Sequence, residues 1–153
     1  MKAATTDARP GGHEYSAPQC PTESPTLLSG YSRGFEINPA KGCGLFCAQN
    51  IAEFWNVATR PAERNGLGLS PEEVLQEVRS IEKSLTLLPD IPAIYSAWKQ
   101  IVAVHKVQGV KVYDARLAAI MSVYTVESVL TFNSVDFERF TNIRAIHPSS
   151  VLP

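Results

Sequence analysis

The stretch from Val112 to Phe140, VYDARLAAIMSVYTVESVLTFNSVDFERF, decides the fold. Leu117, Ala118 and Met121 recur at helical spacing, so the segment opens as a helix from about Val112 with Asp114 in its first turn. A β-rich run over 127–132 follows and stops at Asn133, and a short segment then presents Asp136 and Phe137. A helix start and a strand end brought together in this way form the rim where α/β proteins keep their chemistry.

Outward from this stretch, the chain alternates helices and short apolar strands. Leu45 to Ala48 reads as a brief buried strand. Ile51, Phe54, Trp55 and Ala58 then mark one helical face, with Asn50 as expected N-cap and Pro61 as the stop. Ser70-Pro71-Glu72-Glu73 carries the signals of a helix start: a cap, proline at the first position, and glutamate three residues after the cap. Val74, Leu75, Val78 and Ile81 are its expected buried stripe. Leu85 to Leu88 reads as a strand. A helix bearing Ile94, Ala97, Trp98, Ile101, Val102 and a half-buried His105 follows, and Ile143 to Ile146 is the last strand. This alternation implies a mostly parallel sheet with helices on its faces.

Residues 1–43 differ in kind. They hold five of the eleven prolines and five of the nine glycines, without periodicity, and are expected to form a loosely ordered arm before a domain over 44–153. At 153 residues the chain is a single domain with a balanced charge, 14 basic against 15 acidic residues. No basic stripe announces nucleic acid, so any RNA contact needs a local patch. Three cysteines (Cys20, Cys43, Cys47) suit neither a disulfide framework nor a full set of zinc ligands. There is no apolar leader, and no run approaches the roughly eighteen apolar residues of a spanning helix, so a cytoplasmic location without membrane contact is expected.

The candidate chemistry lies in oxygen ligands. Glu53 stands three residues after Asn50, a spacing that serves either a capping box or a metal-binding carboxylate. Asp114 is favoured at a helix N-terminus by roughly 0.3–1 kcal/mol, yet it shares the side of the apolar stripe, where a carboxylate needs a partner or a cation. Asn133 suits a turn after a strand, Asp136 suits a short helix, and Thr131 suits a strand. Neither His105 nor His147 has a nucleophile at a recognisable spacing, and no phosphate-binding glycine loop is present. Glu53, Asp114, Asn133 and Asp136 together are the ligand types chosen by Mg²⁺ or Mn²⁺.

Three segments, GLFCAQNIAEFWNVATRP (44–61), VYDARLAAIMSVY (112–124) and SVLTFNSVDFERFTNIRAIHP (128–148), together resemble the PIN domain of VapC-type toxins from bacterial toxin–antitoxin pairs. The resemblance implies a three-layer α/β/α sandwich with a central, mostly parallel sheet. It also implies Mg²⁺- or Mn²⁺-dependent ribonuclease activity from an acidic cluster at the sheet's C-terminal edge. Glu53 matches the family's second acidic position and Asp114 its third. Asn133 falls where many members place a fourth acid, accompanied by Asp136, and Thr131 matches a small hydroxyl residue near the site. Catalytic roles are thus implied for Glu53, Asp114, Asn133 and Asp136, and metal ligation for Glu53, Asp114 and Asp136. RNA is the implied substrate, a cognate antitoxin the implied partner, and a homodimer a further option.

One departure accompanies these matches. The family begins with an apolar strand ending in Asp, and nothing in residues 1–43 reads that way; Asp7 has no strand before it. A sheet lacking its first strand and a site lacking its first acid are therefore expected, and with them impaired nuclease activity. The alternative is a non-catalytic PIN remnant that serves only protein interaction.

Overall fold

The computed structural model describes residues 26–28 and 44–150. Five strands form one sheet: β1 (Thr26–Leu28), β2 (Gly44–Cys47), β3 (Thr86–Leu88), β4 (Ser128–Leu130) and β5 (Arg144–Ile146). Their spatial order is β3-β2-β1-β4-β5, and every pairing is parallel. Among the described residues, four α-helices lie between β2 and β4: α1 (Ala48–Thr59), α2 (Pro71–Ser84), α3 (Pro92–Val104) and α4 (Val112–Tyr124).

The expected absence of a first strand is corrected. Thr26–Leu28 lies at the centre of the sheet, with Leu27 opposite Leu45 on one side and Val129 on the other. Three residues between Pro25 and Ser29-Gly30 are too few to show alternation, so only the pairing partners on both flanks define this strand. The rest of the loosely ordered arm expected over 1–43 lies outside the described residues. The strand is thus present, and the residue after it in the sequence is Ser29.

Both faces of the sheet are covered. Successive side chains of a strand point to opposite faces, yet Leu45, Phe46 and Cys47 in β2 are all buried, as are Ser128, Val129 and Leu130 in β4. The larger apolar cluster joins Leu45, Cys47, Leu88 and Val129 to α4, which buries Ala115, Leu117, Ala118, Ala119, Ile120, Met121 and Tyr124. Burial around most of its circumference makes α4 a core helix. Trp98 of α3 fastens its start by donating its indole N–H to the Val112 carbonyl at 3.1 Å. A second cluster joins Phe54 and Ala58 of α1 to Val74 and Val78 of α2.

Local signals explain most element boundaries. Ser70 caps α2 as expected: its hydroxyl accepts from the Glu73 N–H at 3.2 Å, and the Glu73 carboxylate accepts from the Ser70 N–H at 2.7 Å. The start of α1 differs from expectation. Cys47, still extended, is the N-cap, and Asn50 sits within the first turn, its Oδ1 accepting from the Cys47 N–H at 2.8 Å. Leu75 is 42 % exposed, because the stripe of α2 follows Val74 and Val78 towards α1. His105 is also exposed, since α3 ends before it and it meets Phe140 edge-on.

Substituting Leu117→Ala, at a fully buried position, is expected to cost about 2–5 kcal/mol, whereas Ser70→Ala costs about 0.5–2 kcal/mol. Urea unfolding of the two variants checks this ranking; equal midpoints would contradict it.

Candidate functional site

In an open parallel sheet, the crevice lies beyond the strands' C-terminal ends, where the strand order switches direction. Here the switch falls at central β1, with β2 on one flank and β4 on the other. Glu53 lies on α1, which leaves the C-terminal end of β2, and Thr131, Asn133 and Asp136 follow the C-terminal end of β4. Asp114 arrives on the first turn of α4.

The junction between α1 and α4 is built on Gln49. This buried side chain donates Nε2–H to Glu53 Oε1 at 2.7 Å and to the Tyr113 carbonyl at 3.0 Å. Its Oε1 accepts from Arg116 Nη1 at 3.1 Å, while Arg116 Nη2 reaches Asp90 Oδ1 at 2.6 Å. The chain Asp90–Arg116–Gln49–Glu53 therefore holds Glu53 against the start of α4. The Glu53 carboxylate takes its bond from a side chain one helical turn back, and the capping bond to the Cys47 N–H comes from Asn50. Of the two readings open for Glu53, the capping box is excluded.

Burial acts on the charge of both Glu53 and Asp114. Burial pushes the Glu53 carboxyl above the ordinary carboxylate range; the Gln49 hydrogen bond pulls it down, and the charge of Asp114 pushes it up further. Burial likewise raises Asp114, while the charges of Lys111 and Arg139 draw it down. Burial disfavours the charge of both carboxylates, and a cation would relieve it.

Asp136 belongs to a neighbouring unit. It is buried, at 8 % exposure, and it takes Lys111 Nζ on Oδ1 and Asn133 Nδ2 on Oδ2. Thr131, also buried, accepts the Asn133 N–H on Oγ1 at 3.1 Å and so fixes the turn. The geometry thus divides the expected set in two, Glu53 with Asp114 and Asp136 with Asn133. Among the described residues, no group of three or more acidic, histidine or cysteine side chains is arranged to hold a metal ion. The pair fits the sparer mode in which Mg²⁺ takes one or two carboxylates, keeps its waters and uses substrate phosphate for the rest. Cys47 is buried, and that burial pushes its thiol up; Cys20 and Cys43 lie outside the described residues.

Gln49, Lys111 and Arg116 were not singled out by the sequence. An i, i+4 relation between Gln49 and Glu53, and i, i+3 between Lys111 and Asp114, are the signals that could have found two of them.

Two outcomes follow from this geometry. Because Glu53 and Asp114 bind protons more tightly folded than unfolded, stability falls as pH rises from the unfolded carboxylate range through their raised native values. Melting curves across that window should show this fall in the native chain and a shallower one in Glu53→Gln. Replacing Gln49→Ala removes the bonds to Glu53, to the Tyr113 carbonyl and from Arg116, which keeps Asp90, and is expected to cost about 1–3 kcal/mol, checked by chemical denaturation.

No protein-family model and no curated protein sequence matches the chain. Solved structures do match its fold. The DNA-bound VapBC of Salmonella typhimurium aligns with a TM-score of 0.59 at 19% identity, over 82% of this chain and 98% of that one. VapBC-1 of nontypeable Haemophilus influenzae aligns at 0.58 and 13% identity, over 80% and 97%. FitAcB of Neisseria gonorrhoeae aligns at 0.52 and 15% identity, over 81% and 98%. The parallel 3-2-1-4-5 sheet and its helices have the fold of a VapC-type PIN domain.

Proposed function

We propose that the chain is a divalent-metal-dependent ribonuclease of the PIN type, with Glu53 and Asp114 as the ligands of one Mg²⁺ or Mn²⁺ ion. The observation that carries this reading is the Gln49 amide, which bonds both Glu53 and the Tyr113 carbonyl and so holds one half-buried carboxylate of α1 against the first turn of α4, where the half-buried Asp114 follows. When bound, such an ion supplies positive charge to a phosphodiester and acidity to a water. The chain's own groups do the positioning. Gln49 sets the Glu53 carboxylate, and Thr131 and Asn133 set Asp136. Lys111 and Arg139 place positive charge beside Asp114, where an RNA phosphate would otherwise be repelled.

Partners follow by analogy. The similar structures are VapBC and FitAB complexes, three of them bound to DNA. An antitoxin that covers the acidic crevice and carries the pair to DNA is the corresponding partner here, and the cytoplasm the corresponding compartment. No helix among the described residues is long and apolar enough to cross a membrane.

A second reading, a non-catalytic PIN-like interaction module, is favoured by one observation. Ser29 rather than an acid follows β1, which removes a carboxylate from the edge where the chemistry would sit. Cleavage separates the two. With Mn²⁺ or Mg²⁺ the purified chain should cut single-stranded RNA, EDTA should stop it, and Glu53→Gln or Asp114→Asn should slow it by about 100-fold or more. Cleavage that survives Asp114→Asn unchanged would remove Asp114 from the site, and none in the native chain would leave the interaction module.

A further inference from the structure

We propose that Lys111 is a built-in cation of the acidic crevice: it occupies Asp136, so that a divalent ion is left with Glu53 and Asp114 alone. The inference rests on the metal-dependent reading above. Lys111 ends the short 3-10 turn Gly109–Lys111 and stands one helical turn before Asp114. From there one ammonium acts on two carboxylates from different parts of the chain. It pairs directly with Asp136 beyond β4, and its charge reaches Asp114 on α4.

The surroundings hold this arrangement. The second oxygen of Asp136 is taken by the Asn133 amide, and its backbone N–H donates to the Asn133 carbonyl at 3.3 Å. Phe137 beside it is buried, so the carboxylate is fixed in a packed turn. A buried charge of this kind requires a partner, and Lys111 supplies it without any bound ion. With Lys111 on Asp136, the remaining two carboxylates carry the charge that one divalent ion neutralises. A second divalent ion would face an ammonium rather than a free acid. The lysine therefore limits the site to one ion and weakens that ion's hold, because it repels any cation approaching Asp114.

The experiment is calorimetric titration of the full chain with Mn²⁺ in the absence of RNA, comparing native protein, Lys111→Met, Asp136→Asn and Asp114→Asn. Native protein should bind one Mn²⁺, and Lys111→Met should bind it about tenfold more tightly. Asp136→Asn should keep near-native affinity, and Asp114→Asn should lose it. Loss of Mn²⁺ binding in Asp136→Asn would overturn the inference, since Asp136 would then be a ligand. Unchanged or weaker affinity in a folded Lys111→Met would also overturn it. Binding by Lys111→Met but not by native protein would support the built-in cation while refuting the metal-dependent activity; no binding by either would overturn both. A cycle of melting temperatures in EDTA over Lys111→Met, Asp136→Asn and the double variant tests the pair without metal. Non-additive shifts are expected, and additive ones would overturn the pairing.

Discussion

The buried amide of Gln49 ties α1 to α4, two helices that approach each other at the functional edge of the sheet. Its Nε2 donates at once to Glu53 and to the Tyr113 carbonyl, 64 positions along the chain. An amide in this position has no alternative arrangement that satisfies the same groups: it needs a carbonyl and a carboxylate on one side and the Arg116 guanidinium on the other. Leaving any of them unpaired costs more than the bond contributes, so the network fixes the relative placement of the two helices. Gln49 thus holds Glu53 against the first turn of α4, which carries Asp114.

That joint works only on a sheet closed at its centre. β1 is a short strand, yet it pairs on both sides and so removes two edges that β2 and β4 would otherwise expose. The closed sheet in turn offers α4 an apolar surface, and α4 answers with seven buried residues along thirteen. The order of cause runs from sheet to helix to site. Asp114 can be held half-buried at the start of α4 because the rest of that helix is anchored in the core.

What the sequence shows and what it hides have physical reasons. The start of α4 could be placed near Val112, because Leu117, Ala118 and Met121 recur at helical spacing, but its end could not, because a helix buried around most of its circumference has little amphipathic period. α2 was legible from the chemistry of Ser70 and Glu73, whose bonds are local. β1 was not, since three residues have no periodicity and their identity as a strand comes from partners far along the chain. The start of α1 was misplaced for a similar reason. Asn50 has the side chain of an N-cap, but β2 runs straight into the helix and Asn50 reaches back to Cys47 instead. That shift also hid Gln49, which looked like a residue ahead of the helix rather than one turn before Glu53. The acids were legible as types, but their division into two units depends on Lys111, whose bond to Asp136 spans the sheet edge.

The division has a consequence for how such a fold tolerates the loss of an acid. A crevice of several like charges is held open by repulsion unless cations enter it. In this chain the residue after β1 in the sequence is Ser29, which carries no charge. One of the remaining carboxylates, Asp136, is neutralised internally by Lys111 and the Asn133 amide. What is left is a pair, both raised by burial and Glu53 raised further by the charge of Asp114, that the folded chain can carry without a bound ion by holding protons more tightly. The stability of the folded state is thereby linked to the protonation of the pair. Packing of α4 and the Gln49 network stabilise the fold, and the acidic pair is free to respond to whatever cation, proton or phosphate meets it.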